Sequence, residues 1–200
     1  MVNINFSNCK FSNSNGSGFH FGVYAMRSNS RPISIKVVDC EFSNNAQSVP
    51  SGYYATEIEC GSGRGVVVGG EVRFDRAKFN GSPGRIFFSQ KSADGFKVIF
   101  KDCEARDVVS GVAAPPIGLE AANSRNTFGG IEFNNFYIQY NRNMPFMEIR
   151  APKQFNGITN RLKNVKGTFT IKEPGDNPIK YLWGYRTAAN VNVSINYKHE

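Results

Sequence analysis

The chain has 200 residues, 40% of them apolar, with 17 Phe and 20 Gly, and 24 Lys and Arg against 16 Asp and Glu give a net charge of +8. That length suits one domain with a continuous core and is short for two of ordinary size, so residues 1–200 are read as a single domain. No stretch keeps a 3.6-residue period, and the longest uncharged apolar runs, such as 65–70 and 108–116, fall well below the ~18 residues of a membrane helix. Neither a helical protein nor a membrane partner is expected.

The first six residues, Met1-Val-Asn-Ile-Asn-Phe, alternate like a strand and lack the basic and apolar regions of a secretory signal. They predict a protein that does not use that route, or a fragment or C-terminal part of a longer chain that is extracellular or carried on a virion. The alternation then recurs. Aligned on one small or apolar residue, the copies read Ile4-Asn-Phe-Ser-Asn-Cys9-Lys-Phe11, Ile35-Lys-Val-Val-Asp-Cys40-Glu-Phe42, Val72-Arg-Phe-Asp-Arg-Ala77-Lys-Phe79, Val98-Ile-Phe-Lys-Asp-Cys103-Glu-Ala105 and Ile131-Glu-Phe-Asn-Asn-Phe136-Tyr-Ile138. A weaker sixth copy, Asn160-Arg-Leu-Lys-Asn-Val165-Lys-Gly167, is centred on Val165. The centres lie 31, 37, 26, 33 and 29 residues apart.

Within a copy the apolar residues sit at −5, −3, 0 and +2, which is period-two alternation on both sides of a break. The residue at −1 is Asn8, Asp39, Arg76, Asp102, Asn135 or Asn164. Asn and Asp tolerate the left-handed conformation best, so two short strands are predicted to meet there at a corner. A third strand per coil falls between copies, at 21–25, 54–60, 85–89, 117–121, 145–150 and 179–183. Such a coil cannot bury its inward side chains alone, so coils must stack. The prediction is an all-β solenoid, a single-stranded parallel β-helix of about six to seven coils with three strands per coil. A final alternating segment, 191–197, is read as one more strand of the stack, and the uncovered first coil calls for further coils, another domain or a partner chain.

This apolar, Asn-corner, apolar pattern resembles the pectate-lyase-like superfamily of right-handed parallel β-helices over nearly the whole chain. The superfamily holds polysaccharide lyases, glycoside hydrolases, epimerases, phage tailspikes and adhesins, so the resemblance implies a right-handed fold and no one activity. Cys9, Cys40 and Cys103 share the inward ladder position with Ala77, Phe136 and Val165. They are read as thiols filling a core, since neighbouring members run parallel and the others are too far apart for a disulfide, and Cys60 has no partner by sequence.

A filled interior leaves the outward residues and loops for function. The resemblance points to the third strand set, where many such enzymes bind polysaccharide. Alternation puts Glu57, Glu59, Glu120, Glu148 and Arg150 outward. Glu120 and Glu148 are the candidate catalytic carboxylates and Arg150 the candidate basic group, with Glu57, Glu59, Arg125, Lys153 and Trp183 as candidate substrate contacts. Paired carboxylates can act as acid and base on a glycosidic bond, or can hold Ca²⁺ that neutralises a uronate while a basic group takes a proton. Glu and Arg are equally ordinary on any solvated sheet. His20 and Tyr24 have the same parity, and Trp183 with Tyr185 makes either a sugar platform or an end cover for the core. No Cys-x-x-Cys or other metal-ligand spacing is present.

The charge favours a polyanion, and with no nucleic-acid-binding motif an acidic polysaccharide is expected rather than nucleic acid. Two functions follow from this reading: a carbohydrate-binding or carbohydrate-active domain of lyase or hydrolase type, or a structural, receptor-binding segment of a phage tailspike or fibre, which would be a homotrimer.

Overall fold

The structure is a computed structural model that describes residues 2–24, 32–48, 54–61, 70–92, 97–111, 115–121, 127–128, 130–140, 147–150, 161–162, 165–171, 179–181 and 193–199. The chain runs through β1 (Val2–Ser7), β2 (Lys10–Ser12) and β3 (Phe19–Tyr24), and repeats that order in β4 (Ile33–Val38), β5 (Glu41–Ser43) and β6 (Tyr54–Gly61). A third pass is β7 (Gly70–Asp75), β8 (Lys78–Asn80) and β9 (Arg85–Ser92). In β10 (Lys97–Val108) the first two parts are continuous, and β11 (Ile117–Ala121) follows. The later strands are β12 (Thr127–Phe128), β13 (Gly130–Tyr140), β14 (Met147–Arg150), β15 (Arg161–Leu162), β16 (Val165–Ile171), β17 (Ile179–Tyr181) and β18 (Val193–His199). Among the described residues there is no helix.

Every described strand pair is parallel. One sheet has the order β1-β4-β7-β10-β13-β16-β18, with β2, β5 and β8 continuing it beside the second half of β10. The second has the order β3-β6-β9-β11-β14-β17, and β12 pairs with β15. Successive strands of one sheet are therefore separated in sequence by a visit to the other, and like positions of successive repeats fall into rows.

The corners form where Asn and Asp predicted them. Asn8, Asp39, Arg76, Asp102 and Asn135 have φ of 54°, 53°, 53°, 53° and 59°. Arg76 pays the steric cost that Asn and Asp largely avoid, and its guanidinium binds the Asp39 carboxylate of the preceding corner. A second left-handed row, unread in the sequence, lies at Asn13, Asn44, Gly81 and Asp107, with φ of 59°, 53°, 63° and 51°. Asn44 Nδ2 donates to Asn13 Oδ1 at 3.4 Å. A Cβ at Gly81 would stand 2.5 Å from Asn44 Oδ1, so a side chain there would require Asn44 to shift.

Inward residues stack into a continuous core. Phe74, Phe100 and Phe133 form one row, with ring centroids 5.0 and 5.4 Å apart and planes within 9°. Phe11, Phe42 and Phe79 form another, at 5.0 and 5.1 Å. Phe87 of the second sheet meets Phe74 and Phe100 edge-on at 5.9 and 5.6 Å, so aromatic contacts tie the two sheets together. The thiol ladder is present: Cys9, Cys40 and Cys103 are free, the latter two buried. Each buried thiol also donates to main-chain carbonyls at the corner, Cys103 to Phe74 and Lys101 at 3.3 Å and Cys40 to Val38 at 3.3 Å. The side chain of Cys60 lies outside the described residues.

The sixth repeat differs from its expected position. Phe136 pairs with Phe169, which in turn pairs with Tyr197, so Phe169 rather than Val165 holds the ladder position. Asn134 pairs with Thr168 and Phe136 with Phe169, leaving no residue opposite Asn135 for a corner. The register is decided by the neighbouring strand, and Lys163-Asn-Val165 only imitates the local pattern. β18 adds to β16 as the terminal alternation predicted.

Candidate functional site

The second sheet holds the strands on which a site was expected, and its core row sets the faces. Phe19, Thr56, Phe87, Ile117, Met147 and Ile179 are in register across six strands, and Phe19, Phe87, Ile117 and Met147 are buried in the core. Side chains alternate along a strand, so the next row belongs to the opposite face. That row is His20, Glu57, Phe88, Gly118, Glu148 and Lys180.

Glu59 is in register with Gly22 and Gln90 on its own side of β9, and Glu120 with Arg150 on the other. The six-stranded order therefore divides the candidates. Glu57 and Glu59 on β6 are separated from Glu120 on β11 by the whole of β9, so the five carboxylate and arginine positions do not form one continuous group. Glu120, Glu148 and Arg150 occupy neighbouring backbone positions: Glu120 and Arg150 are register partners about 4.8 Å apart along the sheet, and Glu148 precedes Arg150 by two residues. Lys180, next to Glu148 on β17, joins them. Sequence reasoning passed over Lys180, although its parity between Ile179 and Tyr181 marked it. Arg125, Lys153, Trp183 and Tyr185 lie outside the described residues.

The face is not open from end to end. Phe88 is 2% exposed, yet stands outside the core cluster that holds Phe87. The Arg85 guanidinium, itself 5% exposed at the residue level, lies 5.3 Å over the Phe88 ring. Gly118 accommodates both: a Cβ there would stand 2.3 Å from Arg85 Nη1 and 2.6 Å from Phe88 Cδ2. Outward parity on this sheet therefore does not by itself mean exposure, because alternation assigns a residue to a face but does not say what packs against it.

The first sheet carries a polar cluster that was not expected. Arg106 Nε donates to Glu104 Oε1 at 2.7 Å, Nη1 donates to Gln139 Oε1 at 3.4 Å, and the guanidinium lies 4.4 Å over the Tyr137 ring. Along the same row the charges alternate through Lys10, Glu41, Lys78 and Glu104, and Lys10 Nζ is 3.2 Å from Glu41 Oε1. Hydrogen bonds from Lys10 and Ser43 hold the Glu41 carboxyl below its ordinary value.

The buried thiols are poor nucleophiles. Desolvation pushes Cys103 up to about 12 and raises Cys40 as well, so both stay protonated at neutral pH. Among the described residues no three His, Cys, Asp or Glu gather as a metal site. The side chains of Glu57, Glu59, Glu120 and Glu148 are not part of that set.

Comparison of the chain with protein families, with curated proteins and with solved structures finds no match.

Proposed function

We propose that the chain is a right-handed parallel β-helix of six to seven coils, of the pectate-lyase-like kind, that binds an acidic polysaccharide on the β11, β14 and β17 part of its second sheet. The supporting observation is the register of Glu120 with Arg150 and of Glu148 with Lys180. Two cationic positions beside two carboxylate positions suit a chain of uronates. The cations attract its carboxylates, and the glutamates accept from its hydroxyls. The net charge of +8 favours the encounter. If the site is catalytic, Glu120 and Glu148 are the groups for acid and base work and Arg150 the group that holds the substrate carboxylate; Ca²⁺ bridging a glutamate and a uronate is the alternative arrangement.

The test is binding of polygalacturonate at 20 and 200 mM salt, with Arg150→Ala, Lys153→Ala and Lys180→Ala beside the unmodified protein. Weaker binding with a flatter salt dependence and an unchanged melting temperature supports the site. Unchanged binding in all three variants removes these residues, and no binding by the unmodified protein removes the polysaccharide reading.

One observation favours the second reading, a structural or receptor-binding segment of tailspike or fibre type. Several outward charges of the first sheet are paired within the chain, as Lys10 with Glu41, Arg76 with Asp39 and Arg106 with Glu104, which suits a scaffold. A stable trimer in light scattering, together with absent glycan binding, selects it.

A further inference from the structure

Among the described side chains Arg85 is the one charged group that is buried, at 5% exposure. Taking a guanidinium out of water is costly unless opposite charge or an aromatic face compensates it. The Phe88 ring, 5.3 Å from the guanidinium, supplies part of that compensation. Gly118 shows where the charge lies. A Cβ built at Gly118 would collide with Arg85 Nη1, so the guanidinium occupies the place that a side chain at 118 would take. Gly118 belongs to the row on the face opposite the core, with Phe88 on one side and Glu148 on the other. That row therefore runs from Phe88 through the Arg85 guanidinium to the positions of Glu148 and Lys180, on strands about 4.8 Å apart.

The placement distinguishes the two candidate carboxylates. Glu148 stands in its row between two cationic positions, Arg85 over Gly118 and Lys180 on β17, with Arg150 two residues along its own strand. Glu120 has Arg150 beside it on β14, and on β9 the register shifts between Ser89 and Ser92, where Lys91 falls. Along β11, Glu120 is two residues from Gly118, about 6.6 Å, against about 4.8 Å from Gly118 to Glu148. A buried cation is screened less than an exposed one, so Arg85 acts most strongly on the nearer carboxyl position.

We propose that Arg85 is a positioning residue of this site: its guanidinium, seated on Phe88 and admitted by Gly118, holds Glu148 ionised and leaves Glu120 as the carboxyl that carries the proton. The inference rests on the reading of Glu120 and Glu148 as glycan-site residues and divides their roles. Glu148 takes the base or hydroxyl-accepting role and Glu120 the acid role.

A carbon-13 NMR titration of the glutamate carboxyls in the full chain tests this, with the two signals assigned by Glu148→Gln and Glu120→Gln. Glu148 should titrate below Glu120. In Arg85→Met the Glu148 midpoint should rise by about one pH unit or more and the Glu120 midpoint by less than half as much, whereas Arg85→Lys should keep most of the original difference. Gly118→Ala, which displaces the guanidinium without removing it, should raise the Glu148 midpoint in the same direction and carries the test if Arg85→Met does not fold. An unmoved Glu148 midpoint in the folded variants, or a Glu120 midpoint that moves as far, overturns the proposal. The titration needs no glycan, so polygalacturonate binding measured in parallel decides the glycan reading separately.

Discussion

Arg76 grips the carboxylate of Asp39 with two hydrogen bonds, Nε to Oδ1 at 2.6 Å and Nη2 to Oδ2 at 2.7 Å, and the two residues hold equivalent left-handed corners of successive repeats. The hydrogen bond from Arg76 keeps the Asp39 carboxyl below its ordinary value of 3.8. A carboxyl lowered in the folded state contributes stability that is present above its unfolded value and is lost as pH falls through the folded one. Urea midpoints measured from pH 6 down to 2 should therefore fall below about pH 4, and Asp39→Asn should have a flatter acid limb. An identical acid limb in the variant would show that the pair is not linked to folding.

The thiol of Cys103 predicts the opposite limb. Its value is raised from 9.0 to about 12 by desolvation, so its contribution is complete below pH 9 and is lost as the unfolded chain ionises above it. Stability should drop by up to about 1.4 kcal/mol per pH unit above pH 9, with Cys40 adding in the same direction. Cys103→Ala should reduce that slope while lowering stability at pH 7. Denaturation without reductant should expose four thiols to a maleimide, and a count of two would reveal a disulfide.

Phe100 sits between Phe74 and Phe133 in the stacked row and meets Phe87 edge-on from the other sheet. Phe100→Ala should cost roughly 3–5 kcal/mol in chemical denaturation, and Phe133→Ala a similar amount, because neither cavity can collapse against a stacked neighbour. Glu104→Ala, which breaks the exposed bond to Arg106, should cost less than about 1 kcal/mol. Comparable losses at Phe100 and Glu104 would contradict the core described above.

Two glycines should respond differently to alanine. At Gly118 a new Cβ meets Arg85 and Phe88 side chains, which can shift, so a loss of about 1–3 kcal/mol is expected. At Gly70, φ is +139° and a Cβ would stand 1.9 Å from the Ile33 carbonyl oxygen, a main-chain atom of the paired strand. Gly70→Ala should be the more damaging in melting temperature. The reverse order would mean that β4 and β7 are not paired in this register.

The repeat was legible in the sequence because its signals are local. Alternation at Ile4, Phe6, Cys9 and Phe11 assigns faces, and Asn8, Asp39, Asp102 and Asn135 favour a left-handed corner through their own side chains. The second corner was equally legible four residues past each centre, at Asn13, Asn44, Gly81 and Asp107, although it was not read. Alternation likewise assigns a parity to Glu57, Glu120, Glu148 and Arg150.

The order of the repeats already placed the 85–89 strand between Glu57 and Glu120, and the strand order agrees. Only the tertiary structure decided the register that sets Glu120 beside Arg150. Pairing with β13 moved the sixth ladder position from Val165 to Phe169, since hydrogen bonds to the neighbouring strand fix register where the local pattern permits two alignments. The burial of Phe88 and Arg85 was likewise beyond sequence reading. The alternation of a strand fixes which way a residue belongs, whereas burial depends on its neighbours in space, here the Arg85 guanidinium over the Phe88 ring with Gly118 leaving room for both.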